Sequence, residues 1–102
     1  VRRAGDAQAA AAFKNGNRLW SLCSQPPNSV AKAECAGYVL GVVDAIKEDD
    51  AVNGFTACLP TEVTTVQVVD VVTDYLRQNP AERHYLAAGL VARALARAFP
   101  CR

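Results

Sequence analysis

The sequence predicts an all-α fold, a compact bundle of four main helices stapled by two disulfides. Three observations carry that prediction. Apolar residues recur at intervals of three and four along most of the chain. Proline-bearing breaks at Pro26-Pro27, Pro60, Pro80 and Pro100 divide it into helix-length pieces. Four cysteines without a CxxC pair, beside a single histidine, favour two disulfides over a zinc site.

Composition bounds the function. A chain of 102 residues makes one small domain, spanning 1–102 with residues 1–5 as a flexible tail. Hydrophobic residues make up 51% and charged residues 21%, enough apolar content for a packed core. A net charge of +1, with no sustained basic run, argues against a nucleic-acid partner. No stretch suggests membrane insertion, and no cofactor motif is present. Cystines imply an oxidising compartment and support export to the periplasm, with the signal peptide outside this sequence. The valine start is expected to reflect an earlier segment either cleaved or left out.

The first helix is expected over about Ala7–Cys23, capped by Asp6, with Ala9, Ala12, Phe13, Gly16, Leu19, Trp20 and Cys23 as its apolar repeat. Ser24–Asn28 contains the double proline that stops it. Ser29 is the expected N-cap of the second helix, with Asn28 as the alternative, and that helix should run to about Asp50. Lys47–Gly54 then turns polar, with Asn53-Gly54 as a turn signal. The connection exceeds the usual two to eight residues of a helical bundle, so it has a return path to cover or a surface to present.

Thr64–Gln78 is rich in valine and favours strand by local propensity, yet its spacing is helical. Val66, Val69, Val72 and Leu76 are the inward candidates. Asn79-Pro80-Ala81-Glu82 reads as a helix start, with Asn79 capping, Pro80 in the first position and Glu82 closing a capping box. Leu86, Leu90, Val91, Ala94, Leu95 and Ala98 should line its inner face as far as Phe99.

Cys35–Asp44 is the axis of the expected bundle. Gly37 and Gly41 share a helix face and should admit a close-packed neighbour, with Tyr38 between them. Asp44 is expected as a paired polar group in the core, with an exposed position reachable by a partner as the alternative. An antiparallel arrangement brings all four cysteines to one pole and leaves several pairings open. Cys35–Cys58, pinning the long connection to the central helix, and Cys23–Cys101, joining the first and last helices, are the favoured pairs.

Catalysis is not signalled. His84 near a helix start lacks a marked nucleophile or oxyanion-stabilising partner, and Asp70 and Asp74 are ordinary acids one turn apart. Two surface clusters could instead recognise a partner. Lys47, Glu48, Asp49, Asp50 and Asn53 lie on the long connection. Gln78, Asn79, Glu82, Arg83, His84 and Tyr85 surround the last proline turn. A ligand cavity around Tyr38 and Asp44 is the competing arrangement.

The landmarks together form a pattern. Phe13-Lys-Asn-Gly-Asn17 is followed by Leu19 and Cys23, then Cys35-Ala-Gly-Tyr38, Gly41 and Asp44, then Cys58-Leu-Pro60. Gln67, Val68-Val69, Tyr75-Leu76, Asn79-Pro80, Ala87-Ala88, Ala94-Leu95 and Phe99-Pro100-Cys101 complete it. This resembles the Rap1a/Tai family of periplasmic immunity proteins over about Phe13–Cys101. The resemblance implies a non-catalytic, disulfide-bonded helical domain, commonly a homodimer. Such a domain binds a cognate peptidoglycan amidase effector of type VI secretion and obstructs its cleft. It does not identify which residues select the effector.

Overall fold

The computed structural model describes residues 13–46 and 51–101. Its elements are α1 (Gly16–Cys23), α2 (Val30–Ile46), α3 (Thr65–Gln78), a 3₁₀ turn (Pro80–Glu82) and α4 (Ala87–Ala98). The all-α expectation is met, and each helix packs against the other three. The expected helix caps at Asp6 and the charged cluster Lys47, Glu48, Asp49 and Asp50 lie outside the described residues.

The core is built from one stripe per helix. Leu19 and Leu22 of α1 meet Val39, Val42 and Ile46 of α2, Val68, Val69, Val72 and Leu76 of α3, and Leu90, Val91 and Leu95 of α4. Each such side chain contributes about 1.5–3 kcal/mol when fully removed from water. Among the described residues no polar or charged side chain is buried. Asp44 is therefore exposed rather than a core group, which corrects the expectation.

Helix α1 starts nine residues later than about Ala7, the expected start. Phe13 and Lys14 are non-helical, and Phe13 is 96% exposed instead of inward. Asn15 caps the helix, its side chain accepting from the Arg18 amide at 2.9 Å. Gly16 occupies the first helical turn, where its amide donates to the Tyr85 carbonyl at 2.9 Å and the Asn17 amide donates to that of Arg83 at 2.7 Å. Two orphan donors of the helix start are thus satisfied by chain distant in sequence.

Ser29 caps α2 as expected, accepting from the Lys32 amide at 3.0 Å. The buried face of α2 is Cys35, Val39, Val42 and Ile46. Gly37 and Gly41 fall on the opposite, exposed face, and a Cβ built on either would meet nothing within 4 Å. Neither glycine serves internal close packing. The close-approach role belongs instead to Gly16 and Gly89.

In α3, Thr64 and Gln67 form a complete capping box. The inner face runs through Val68, Val69, Val72, Tyr75 and Leu76, whereas Val66 is 68% exposed. The predicted single helix from Pro80 to Phe99 is broken. Asn79 makes no capping bond to the 3₁₀ turn; its amide donates back to the Tyr75 carbonyl at 2.8 Å. Glu82 closes no capping box, since it accepts the Tyr75 hydroxyl at 2.6 Å. Residues 83–86 then redirect the chain before α4, so Leu86 is exposed, not inward.

Both favoured disulfide pairings are corrected. Cys23 bonds Cys35, with Cα atoms 5.1 Å apart, and Cys58 bonds Cys101 at 5.0 Å. The short connection between α1 and α2 already brings Cys23 beside Cys35, so the local partner is the near one. The long connection is tied to the end of α4 instead of α2. The Cys58 amide donating to the Phe99 carbonyl at 2.8 Å holds that same junction.

Candidate functional site

Asn53, the described member of the first candidate cluster, lies beside Tyr85 of the second. The chain at Val52–Phe55 makes a two-residue hairpin turn, with reciprocal amide–carbonyl bonds of 2.9 Å between Val52 and Phe55. Asn53 (φ 54°) and Gly54 (φ 85°) take the left-handed backbone that this turn needs, for which Asn-Gly is the favoured pair. Phe55, Ala57, Leu59 and Val63 anchor the connection to the core. The turn is thereby held against α4. The Asn53 amide sits where a side chain at position 89 would be, only 2.3 Å from a Cβ built on Gly89.

Between this turn and the start of α4 lies a groove of about 250 Å³, lined by Asn53, Phe55, Tyr85, Leu86, Gly89, Leu90 and Arg93. Asn53 comes from one candidate cluster and Tyr85 from the other. Phe55, Gly89 and Arg93 were not legible as site residues, because nothing local in sequence marks three positions that only the tertiary fold brings together.

The proline corner divides into engaged and free side chains. Arg83 is half-buried: Nε donates to the Leu76 carbonyl at 2.7 Å, and a terminal nitrogen donates to the Arg77 carbonyl at 3.3 Å. The guanidinium also lies 4.3 Å from the centre of the Trp20 ring. It caps the carbonyl end of α3 with positive charge, where such a charge is favourable. Glu82 is held by Tyr75, and burial followed by that hydrogen bond pushes the Tyr75 hydroxyl above the ordinary phenol value. Gln78 donates to Asp74 at 2.7 Å. Asn79, Glu82 and Arg83 therefore shape the corner from within, and Gln78 is occupied along α3.

His84, Tyr85 and Leu86 project outward. The His84 and Tyr85 rings lie 4.3 Å apart, and Tyr85 and Leu86 are 55% and 56% exposed. Their backbone is fixed from behind by the α1 amides, by the bridge between Asn15 and Leu86, and by the Ala87 amide donating to the Lys14 carbonyl at 3.1 Å. The result is a rigid apolar rim beside the groove.

The segment around Tyr38 is not part of this arrangement. Tyr38 is half-buried, with the Lys14 ammonium 5.4 Å from its ring centre. Burial raises its phenol pKa, and Lys14 partly offsets the rise. Lys14 also pairs with Glu34 at 2.9 Å, which lowers the Glu34 carboxyl pKa. A second groove, about 310 Å³, runs between α2 and α3 past Pro27, Lys32, Ala33, Val66, Val69 and Asp70. Neither groove is lined by Tyr38 or Asp44. Among the described residues, no group of three or more His, Cys, Asp or Glu side chains is placed to hold a metal ion.

Fold and site together define a cystine-stapled four-helix domain that presents a fixed corner and a side groove. Comparison with known families is decisive on kinship. The chain belongs to the Rap1a immunity proteins, whose family model matches residues 15–101. No curated protein matches the chain significantly.

Proposed function

We propose that this domain is a periplasmic immunity protein that binds a cognate peptidoglycan amidase effector of type VI secretion and blocks its cleft. The observation that carries the reading is the family match, which spans both cystines and all four helices. The architecture supports it. An inhibitor gains affinity when its contact surface is ordered before binding, and the rim of His84, Tyr85 and Leu86 is pinned by backbone bonds to α1. Exposed aromatic and aliphatic anchors at such a rim are the side chains that commonly dominate interface energy.

The domain acts here by occlusion and not by catalysis. His84 stands exposed on the corner beside Tyr85, a position suited to contact. The homodimer implied by the family resemblance is part of the proposal. Light scattering on the oxidised domain reads it directly, and a monomer mass at high concentration would remove it.

Co-expression tests the main reading. The product of the neighbouring gene is directed to the periplasm with and without this protein, and lysis and co-purification are scored. Rescue with a stable complex is expected. Lysis that continues while the exported, oxidised domain is abundant would overturn the reading.

A further inference from the structure

The groove beside the Asn53-Gly54 turn has a definite chemical character. Phe55, Leu86 and Leu90 give it apolar walls, and the Asn53 side-chain amide lies over Gly89 at its floor. Its volume of about 250 Å³ falls below the 300–1,000 Å³ of ordinary small-molecule sites. That size suits one large side chain from a macromolecular partner.

Charge sets the second requirement. Arg93 lines the groove and is exposed, and Arg97 follows one turn later with its guanidinium 5.7 Å from the Tyr75 ring centre. Among the described residues the direct ion pairs are Lys14–Glu34 and Asp74–Arg77, and neither involves Arg93 or Arg97. Glu82, the nearby acid, is engaged by the Tyr75 hydroxyl. A basic edge beside an apolar slot is complementary to an apolar side chain flanked by carboxylates. The α2–α3 groove lacks this bias, since it carries Lys32 and Asp70 together and the Lys32 ammonium donates to the Cys23 carbonyl at 2.8 Å.

We propose that this groove receives an acidic loop of the protein partner, with a leucine- or phenylalanine-sized anchor against Leu86 and Leu90 and an adjacent carboxylate on Arg93. The assignment rests on the effector-binding reading for the partner's identity, while the groove chemistry is testable without the effector. Arg93 is the specificity-determining residue. Its guanidinium donates to the carboxylate, and reversing that charge should reverse the preference.

The probes are three capped peptides, Glu-Leu-Glu, Lys-Leu-Lys and Glu-Ala-Glu, titrated to millimolar concentration into the ¹⁵N-labelled oxidised domain. Glu-Leu-Glu should shift the amides of Phe55, Gly89 and Leu90, at least fivefold more tightly than either control. Arg93→Glu should favour Lys-Leu-Lys while retaining the parent melting temperature. Equal response to both charges, no response at Gly89, or shifts confined to Val66 and Val69 would overturn the proposal. Rescue from amidase toxicity separates the two claims. Peptide preference without rescue supports the groove assignment and removes the immunity role. Rescue that Arg93→Glu leaves intact retains the immunity role and overturns the groove assignment.

Discussion

Replacing glycine by alanine should have opposite effects at different helical positions, and the sign follows from what surrounds each Cα. Gly37 and Gly41 lie inside α2 on its exposed face, and an added methyl meets nothing within 4 Å at either site. Alanine is favoured over glycine in a helix interior by about 1 kcal/mol, so the Gly37→Ala/Gly41→Ala double variant should gain roughly 2 kcal/mol. For a domain of this size that is a rise in melting temperature of roughly 8–16 °C. Gly16→Ala should do the reverse. Its Cβ would lie 2.7 Å from the Arg83 carbonyl oxygen and 2.8 Å from the Arg83 Cα, backbone atoms that cannot rotate away. Overpacking of that kind costs about 1–3 kcal/mol and should loosen the corner that carries Tyr85. Thermal unfolding of the oxidised proteins by circular dichroism, at several protein concentrations, reads both effects. Destabilisation by the double variant would refute the exposed placement of Gly37 and Gly41. If that loss grew with protein concentration, the outer face of α2 would be an interface between copies.

The two cystines should differ in access and in energetic weight. Cys23 and Cys35 are 2% and 0% exposed, whereas Cys58 and Cys101 are exposed. Limited dithiol reduction followed by alkylation should label Cys58 and Cys101 first, because the attacking thiolate must reach sulfur. Removing Cys58–Cys101, which spans 43 residues, should cost about 4 kcal/mol on the chain-entropy estimate, against about 3 kcal/mol for the 12-residue Cys23–Cys35 link. Chemical denaturation of the two double-alanine variants measures this, with extra loss expected where the Cys23–Cys35 sulfurs leave a cavity. Tyr75 should make the fold alkali-sensitive. Its folded pKa is raised, so its contribution is complete below the ordinary phenol value near 10 and is lost as pH climbs through the higher folded value. Tyr75→Phe should flatten the decline of melting temperature above pH ~10, and an unchanged decline would contradict that assignment. Arg83→Met should lower stability by about 1–3 kcal/mol, since it removes charged hydrogen bonds to the Leu76 and Arg77 carbonyls.

Much of the architecture was legible because local and tertiary preferences agree. Val69, Val72 and Leu76 repeat at helical spacing, and the helix they predict is present despite the strand preference of valine. Ser29 caps α2, and Asn53-Gly54 makes the turn its residue types favour. Errors arose where distant chain supplies the decisive partner. The start of α1 depends on carbonyls of Arg83 and Tyr85, some seventy residues away, which no reading of Ala7–Phe13 reveals. The same contacts help hold residues 83–86 out of the helix that Asn79-Pro80 signals. Cysteine pairing depended on which ends the fold brings together, and a reading of helix directions left it open. For the site, Asn53 and Tyr85 were visible as candidate contact residues, but their shared groove was not. It requires the turn to dock on Gly89 and Arg93 to emerge beside it.

The most direct measurement is inhibition in solution. The product of the neighbouring gene, purified and assayed for peptidoglycan amidase activity, would be titrated with the oxidised domain while peptide release from purified peptidoglycan is followed. The account predicts that hydrolysis falls to background at one domain per enzyme, and that Arg93→Glu shifts the titration to higher concentration. Full hydrolysis in a large molar excess of the folded domain would contradict it.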